Sequence, residues 1–176
     1  TGAGSPPAFE ALPTGGLVFL GSTTSGSQRD YTSQITSTYD QYLMLFQLAG
    51  DNAGDNMAIQ VYVSGSLQTG STDYGWNSQV GESDTATISG SASDGDNVIR
   101  MAKTGQSNAG ALVGFIRFHR TAPYFHGMLN YKTTSGDMAF STFGGVLSAG
   151  STIDGVRLLM DGGVFQGGTA RLYGVV

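Results

Sequence analysis

His119 and His126 are the only two imidazoles in the chain, seven positions apart across a connection that contains Pro123. A hairpin there would bring both rings together, the first requirement of a shared metal or proton-transfer site. No matched carboxylate accompanies them, and no serine sits in a GxSxG turn, so the third member that zinc binding or a Ser-His-Asp arrangement needs is missing. Structural or surface roles fit the pair better, and no catalytic residue is expected.

Hard oxygen ligands gather in two places: Asp51, Asn52, Asp55 and Asn56 in one turn, and Asp94, Asp96 and Asn97 in another. Neither follows the twelve-residue calcium loop with its closing glutamate, and Asp/Asn-Gly steps are what turns use in any case. No metal and no cofactor are expected. The piece GGVFQGG lacks the lysine and the following helix of a phosphate cradle, so it reads as a turn. Tyr74 and Trp76, with Tyr124 and Phe125 in a separate connection, are the candidates for ligand binding, as an aromatic platform on which a sugar ring could stack. Against that stands the commoner fate of large aromatics in a small β domain, which is core or subunit interface.

Composition limits what could position such residues. The chain has 176 residues, enough for one core, and 28 of them are glycine while only 12% are charged. Glycine is costly in helices and cheap in turns, which favours many short strands. Without cysteine there is neither a disulfide framework nor a thiolate site. Eight basic residues against thirteen acidic ones give a net charge of −5, the wrong sign for neutralising phosphates, so nucleic acid is not an expected partner. The longest apolar runs, Leu17 to Leu20 and Leu43 to Phe46, fall far short of the roughly 18 residues of a membrane span, and no membrane insertion is expected. The opening TGAGSPPAFEALPTGG has neither a basic residue nor an apolar stretch of signal-peptide type. Residues 1–15 read as a linker or arm and 16–176 as a single domain.

Alternating patterns bounded by turn residues mark about nine segments. They are Gly16 to Ser22; Gln41 to Ala49, after a helical turn or irregular piece through SQITSTYD; Met57 to Val63, half-buried with Ile59, Val61 and Val63 on one side; Ser71 to Asn77; Val98 to Lys103 and Ala111 to Arg120 about a hairpin-like KTGQSNAG; Phe125 to Thr133 and Met138 to Leu147 about TSGD; and Ile153 to Met160 and Thr169 to Val175, closing the domain about DGGVFQGG. Gly81 to Asn97 reads as a long exposed loop interrupted by a short strand at Ala86 to Ser89. The fold expected is an all-β, jelly-roll-like two-sheet antiparallel sandwich of about eight or nine strands with little helix.

Three stretches, GLVFLGSTTSGS, ITSTYDQYLMLFQLAG and IDGVRLLMDGGVFQGGTARLYGVV, with STDYGWN between them, resemble a family of phage and prophage tail-fibre and virion structural proteins that carry a C-terminal jelly-roll domain. The similarity runs from about Gly16 to Val176. It implies a β-sandwich, a place in the virion, homotrimeric assembly, and adhesion or decoration of the particle. It brings no catalytic motif with it. Low charge and many apolar strands leave sheet edges and faces that recruit other chains, which self-association would answer.

The expected function is therefore a non-enzymatic receptor-binding module of a tail fibre, mediating attachment to a host surface glycan or protein, with itself and other virion proteins as partners. Two alternatives are a capsid cement or head-decoration protein, for which SPPAFEALP could serve as an arm, and a carbohydrate-binding module.

Overall fold

The computed structural model describes residues 15–24, 26–51, 56–84, 88–102, 109–133 and 136–176. The described residues form an all-β, two-sheet antiparallel sandwich with no helix. Thirteen strands lie among the described residues: β1 Leu17–Thr23, β2 Arg29–Tyr31, β3 Gln41–Asp51, β4 Asn56–Val63, β5 Ser66–Leu67, β6 Tyr74–Glu82, β7 Ile88–Asp96, β8 Ile99–Arg100, β9 Ala109–His119, β10 Tyr124–Lys132, β11 Met138–Leu147, β12 Gly155–Asp161 and β13 Phe165–Val175. Eight of them make one sheet in the order β1-β13-β3-β9-β10-β11-β6-β7. The other sheet runs β2-β12-β4-β5, with β8 also paired to β4.

Successive strands cross between the sheets at both ends of the chain, and the first and last strands lie side by side. The sets β1-β13-β3-β9 and β2-β12-β4-β8 thus form an eight-stranded jelly roll. Strands β10, β11, β6 and β7 extend the larger sheet beyond that nucleus. The count exceeds the expected eight or nine because β2 and β5 are only three and two residues long, too short to show a period, and because β7 lies where a loop was expected.

The core follows from alternation. In β3 the residues Tyr42, Met44, Phe46 and Leu48 are buried while Leu43, Leu45 and Gln47 point away. Tyr42 stacks on Phe118 and Phe118 on Phe125, each pair 5.3 Å between ring centres. Polar groups inside are tied across the two sheets. The Tyr31 hydroxyl donates to the Ala170 carbonyl at 2.6 Å, and the Ser141 hydroxyl to the Met101 carbonyl at 2.6 Å. The buried Arg29 guanidinium reaches the carbonyls of Gly26, Gln28 and Gly167 and lies over the Phe165 ring. Burial pulls its pKa below the ordinary arginine value.

Four expectations need correction. Residues 81–97 are not mainly a loop: β6 continues to Glu82, and Ile88–Asp96 forms a nine-residue edge strand paired with it. Gly, Ser and Asp hid it because an edge strand facing solvent on one side is held by its backbone ladder and carries no apolar alternation. Ile99–Arg100 pairs with Ala58–Ile59 in the smaller sheet, so KTGQSNAG joins two sheets rather than turning a hairpin; residues 103–108 of it lie outside the described residues. β12 and β13 likewise belong to different sheets. Finally, β4 is buried on both sides over most of its length. Ala58 packs with Val98 and Leu159, and the Gln60 amide donates to the Asn97 carbonyl at 3.0 Å.

SQITSTYD is irregular rather than helical. The Tyr42 hydroxyl fixes it by donating to the Thr36 carbonyl at 2.7 Å and accepting from the Thr36 amide at 2.9 Å. The β10–β11 hairpin forms as expected, in register from Tyr124↔Val146 to Lys132↔Met138. The arm expected at 1–15 lies, save for Gly15, outside the described residues.

Candidate binding surface

The larger sheet turns one face into the core, and no other described element covers its second face. Cross-strand register orders the outward residues into rows. One row reads Phe19, Tyr173, Leu43, Arg117, His126, Gly144, Asn77, Ala92. The next includes Arg171, Leu45, Phe115, Met128, Thr142 and Gln79. The centre of this face is apolar: Leu45, Val113 and Phe140 are well exposed beside the half-buried Phe115 and Met128.

Toward one end of β6, β10 and β11 the face sinks into an open cleft of about 490 Å³, bordered by Gly75, Asn77, Asp94, Tyr124, Gly144 and Val146. That volume falls in the range of about 300–1,000 Å³ of small-ligand sites. The depression continues along β6 and β7 past Gln79, Gly90 and Ala92, where a further 440 Å³ opens.

The four aromatic candidates divide here. Tyr124 is 61% exposed and stands at the cleft wall. Trp76 and Phe125 also border the cleft, yet both side chains are buried in the core, as is Tyr74. The structure brings the set to one end of the sheet without making a shared platform: alternation along β6 and β10 sends Tyr124 outward and the other three inward.

A bulge determines what the acids beside the cleft do. Between the Tyr74↔Asp96 and Trp76↔Ser93 pairs, β7 carries one residue more than β6. The Ser93 hydroxyl closes the bulge by donating to the Gly95 carbonyl at 2.8 Å. The extra residue reverses the alternation, so Asp96 turns inward while Asp94 remains at the cleft. Asp96 accepts from the Trp76 indole nitrogen at 3.0 Å and pairs with Arg100 at 3.2 Å; Arg100 also pairs with Asp161 in the other sheet. Asp94 and Asp96 are thus divided between two sides of the strand.

Comparison with known proteins returns no matching family model, curated protein or solved structure.

The remaining sequence candidates are easily placed. Asp51 spends one oxygen on the Val164 amide at 3.1 Å, and residues 52–55 of its turn lie outside the described residues. Among the described residues, no three His, Asp or Glu side chains gather closely enough to hold a metal ion. His119 and His126 are neighbours on the outer face, His126 opposite Arg117 in register. Burial, then the charge of Arg117 and then His119, holds the His126 pKa below its ordinary value. Arg117 is bonded to Gln41 on the adjacent strand.

Sequence reasoning missed Gly75, Asn77 and Gly144, and weighed Asp94 only as a metal ligand. Glycine at outward strand positions was the available signal, since a strand interior gains nothing from glycine unless something must approach its backbone.

Proposed function

We propose that this chain is a non-enzymatic structural module of a phage virion that attaches the particle to a bacterial surface and works as a homotrimer. The observation that carries this is the uncovered outer face of the eight-stranded sheet, which presents an apolar centre and an open cleft on a stiff two-layer support. Stiffness suits adhesion, because contacts held at fixed geometry lose little entropy on binding. The resemblance of the opening, TYDQYL and closing RLYG stretches to tail-fibre and virion proteins supports the same reading.

Within the trimer, the row Leu45, Phe115 and Met128 with Val113 and Phe140 is the surface a neighbouring copy covers. Sedimentation should give a trimer at micromolar concentration, and Val113→Glu should shift it to monomer. Electron microscopy of labelled particles should place the chain on the tail, and the soluble chain should compete with particle adsorption to cells. A monomeric wild type, or label on the head alone, overturns the respective part.

A further inference from the structure

The glycines of the larger sheet fall into two kinds. Some are demanded by packing: a Cβ on Gly145 would lie 2.5 Å from Ile99 Cγ2, one on Gly174 would meet the Tyr39 ring at 2.6 Å, and those on Gly114 and Gly127 would run into the backbone of a neighbouring strand. Gly75 and Gly144, like Gly21, Gly81, Gly95 and Gly167, belong to the other kind. Their Cβ atoms would find nothing nearer than Val146 Cγ1 and Asn77 Oδ1, each at 3.5 Å, an ordinary contact, and neither glycine has the positive φ that excludes other residues. Each nevertheless forgoes about 0.5–1 kcal/mol of strand stability relative to a residue with a side chain. Both floor the cleft beside Tyr124. Neither packing nor backbone conformation accounts for them there; room for something to lie on the sheet does.

We propose that the trough over Gly75 and Gly144 binds a saccharide chain of the bacterial surface, with Tyr124 stacking on a sugar ring. This rests on the attachment role proposed above and names the ligand for it. Tyr124 offers an exposed ring whose face suits the C–H side of a pyranose. Asn77, Asp94 and Gln79 supply the amide and carboxylate groups that pair with hydroxyls. None of the three makes a side-chain hydrogen bond or ion pair among the described residues. Among the described residues, no lysine or arginine borders either part of the trough. His126, opposite Gly144 in register, has its pKa held below the ordinary value by burial, Arg117 and His119, which disfavours a positive charge there. The ligand is therefore uncharged or weakly cationic rather than anionic. Continuation of the trough along Gln79, Gly90 and Ala92 fits consecutive sugar units better than a single one.

The test uses labelled full-length chain and a panel of bacterial strains, with cells untreated, oxidised with periodate to destroy sugar diols, or treated with protease. Wild type should bind at least one strain, with binding lost after periodate and kept after protease. Gly144→Val and Tyr124→Ala should each weaken binding about tenfold or more, while thermal midpoints show both variants folded. Gly81→Val is the matched control: Gly81 lies on the same face two residue pairs further along β6, its Cβ would enter open space, and its binding should equal wild type. Protease-sensitive, periodate-resistant binding, or a Gly144→Val variant that binds like wild type, overturns the saccharide site and leaves attachment standing. Failure of the wild type to bind any strain overturns both.

Discussion

Replacing Tyr74 with phenylalanine removes one oxygen and should cost the protein a large share of its stability. The Tyr74 side chain is fully buried at the start of β6, and its hydroxyl accepts from the Val61 amide at 2.8 Å and donates to the Gln68 carbonyl at 3.0 Å. Val61 lies on β4 of the other sheet, so the hydroxyl joins the strand that carries Gly75 and Asn77 to the opposite layer. Burial drives its pKa far above the ordinary tyrosine value. In Tyr74→Phe the Val61 amide is orphaned in the interior, a penalty of about 1–3 kcal/mol, and a second bond worth about 1 kcal/mol is lost at Gln68, which water can partly replace. The sum, about 2–4 kcal/mol, compares with a total stability of about 5–15 kcal/mol. For a chain of this size it lowers Tm by about 5–15 °C. Chemical denaturation should show a lower midpoint at unchanged m, and the Val61 amide should exchange faster with solvent. Tyr124→Phe, whose ring is exposed, is the control and should change little. If Tyr74→Phe unfolds with the wild type, the bridging role is refuted.

Three other outcomes are expected. Adjacent glycines should respond oppositely to alanine: Gly145→Ala should lose about 1–3 kcal/mol because its Cβ would meet Ile99, whereas Gly144→Ala should be neutral or gain up to about 1 kcal/mol, as denaturant midpoints will show. Burial raises the phenol pKa of Tyr31, Tyr42, Tyr62, Tyr74 and Tyr131; their contribution to stability is complete below the unfolded value of about 10 and is lost as pH rises above it. Tyrosinate absorbance should then appear together with loss of the β-sheet circular dichroism signal. His126 has a lowered folded pKa, so its contribution is present above the unfolded value of about 6.5 and declines as pH falls below it; His126→Gln should flatten that acid limb of the stability curve.

Much of the architecture was legible in period-two patterns, and the failures share one cause. β3 and the β10–β11 hairpin announce themselves because residues such as Tyr42, Met44 and Phe46 alternate with polar or half-exposed neighbours. β7 does not, because Ser89, Ser91 and Ser93 face inward where a larger residue would advertise a strand. Sheet membership is harder still: nothing local tells Ile99 that its partner is Ile59, since that pairing closes a loop of forty residues. At the cleft, the sequence pointed to the aromatic residues near the right end of the sheet, but parity along the strand decided that only Tyr124 reaches the surface. The bulge that separates Asp94 from Asp96 depends on one extra residue in a Ser-Gly-Asp run, which carries no distinct signature of its own.

Strand β7 has a bearing on how the protein can change. Apart from Asp96, its residues meet almost none of the demands of the hydrophobic interior, and its attachment to β6 is made by main-chain groups common to every amino acid except proline. Substitutions at Ala92 or Asp94 can therefore accumulate without eroding the fold. The wall of the trough is free to diversify while its scaffold stays constant, which is the arrangement a lineage needs to follow a shifting target.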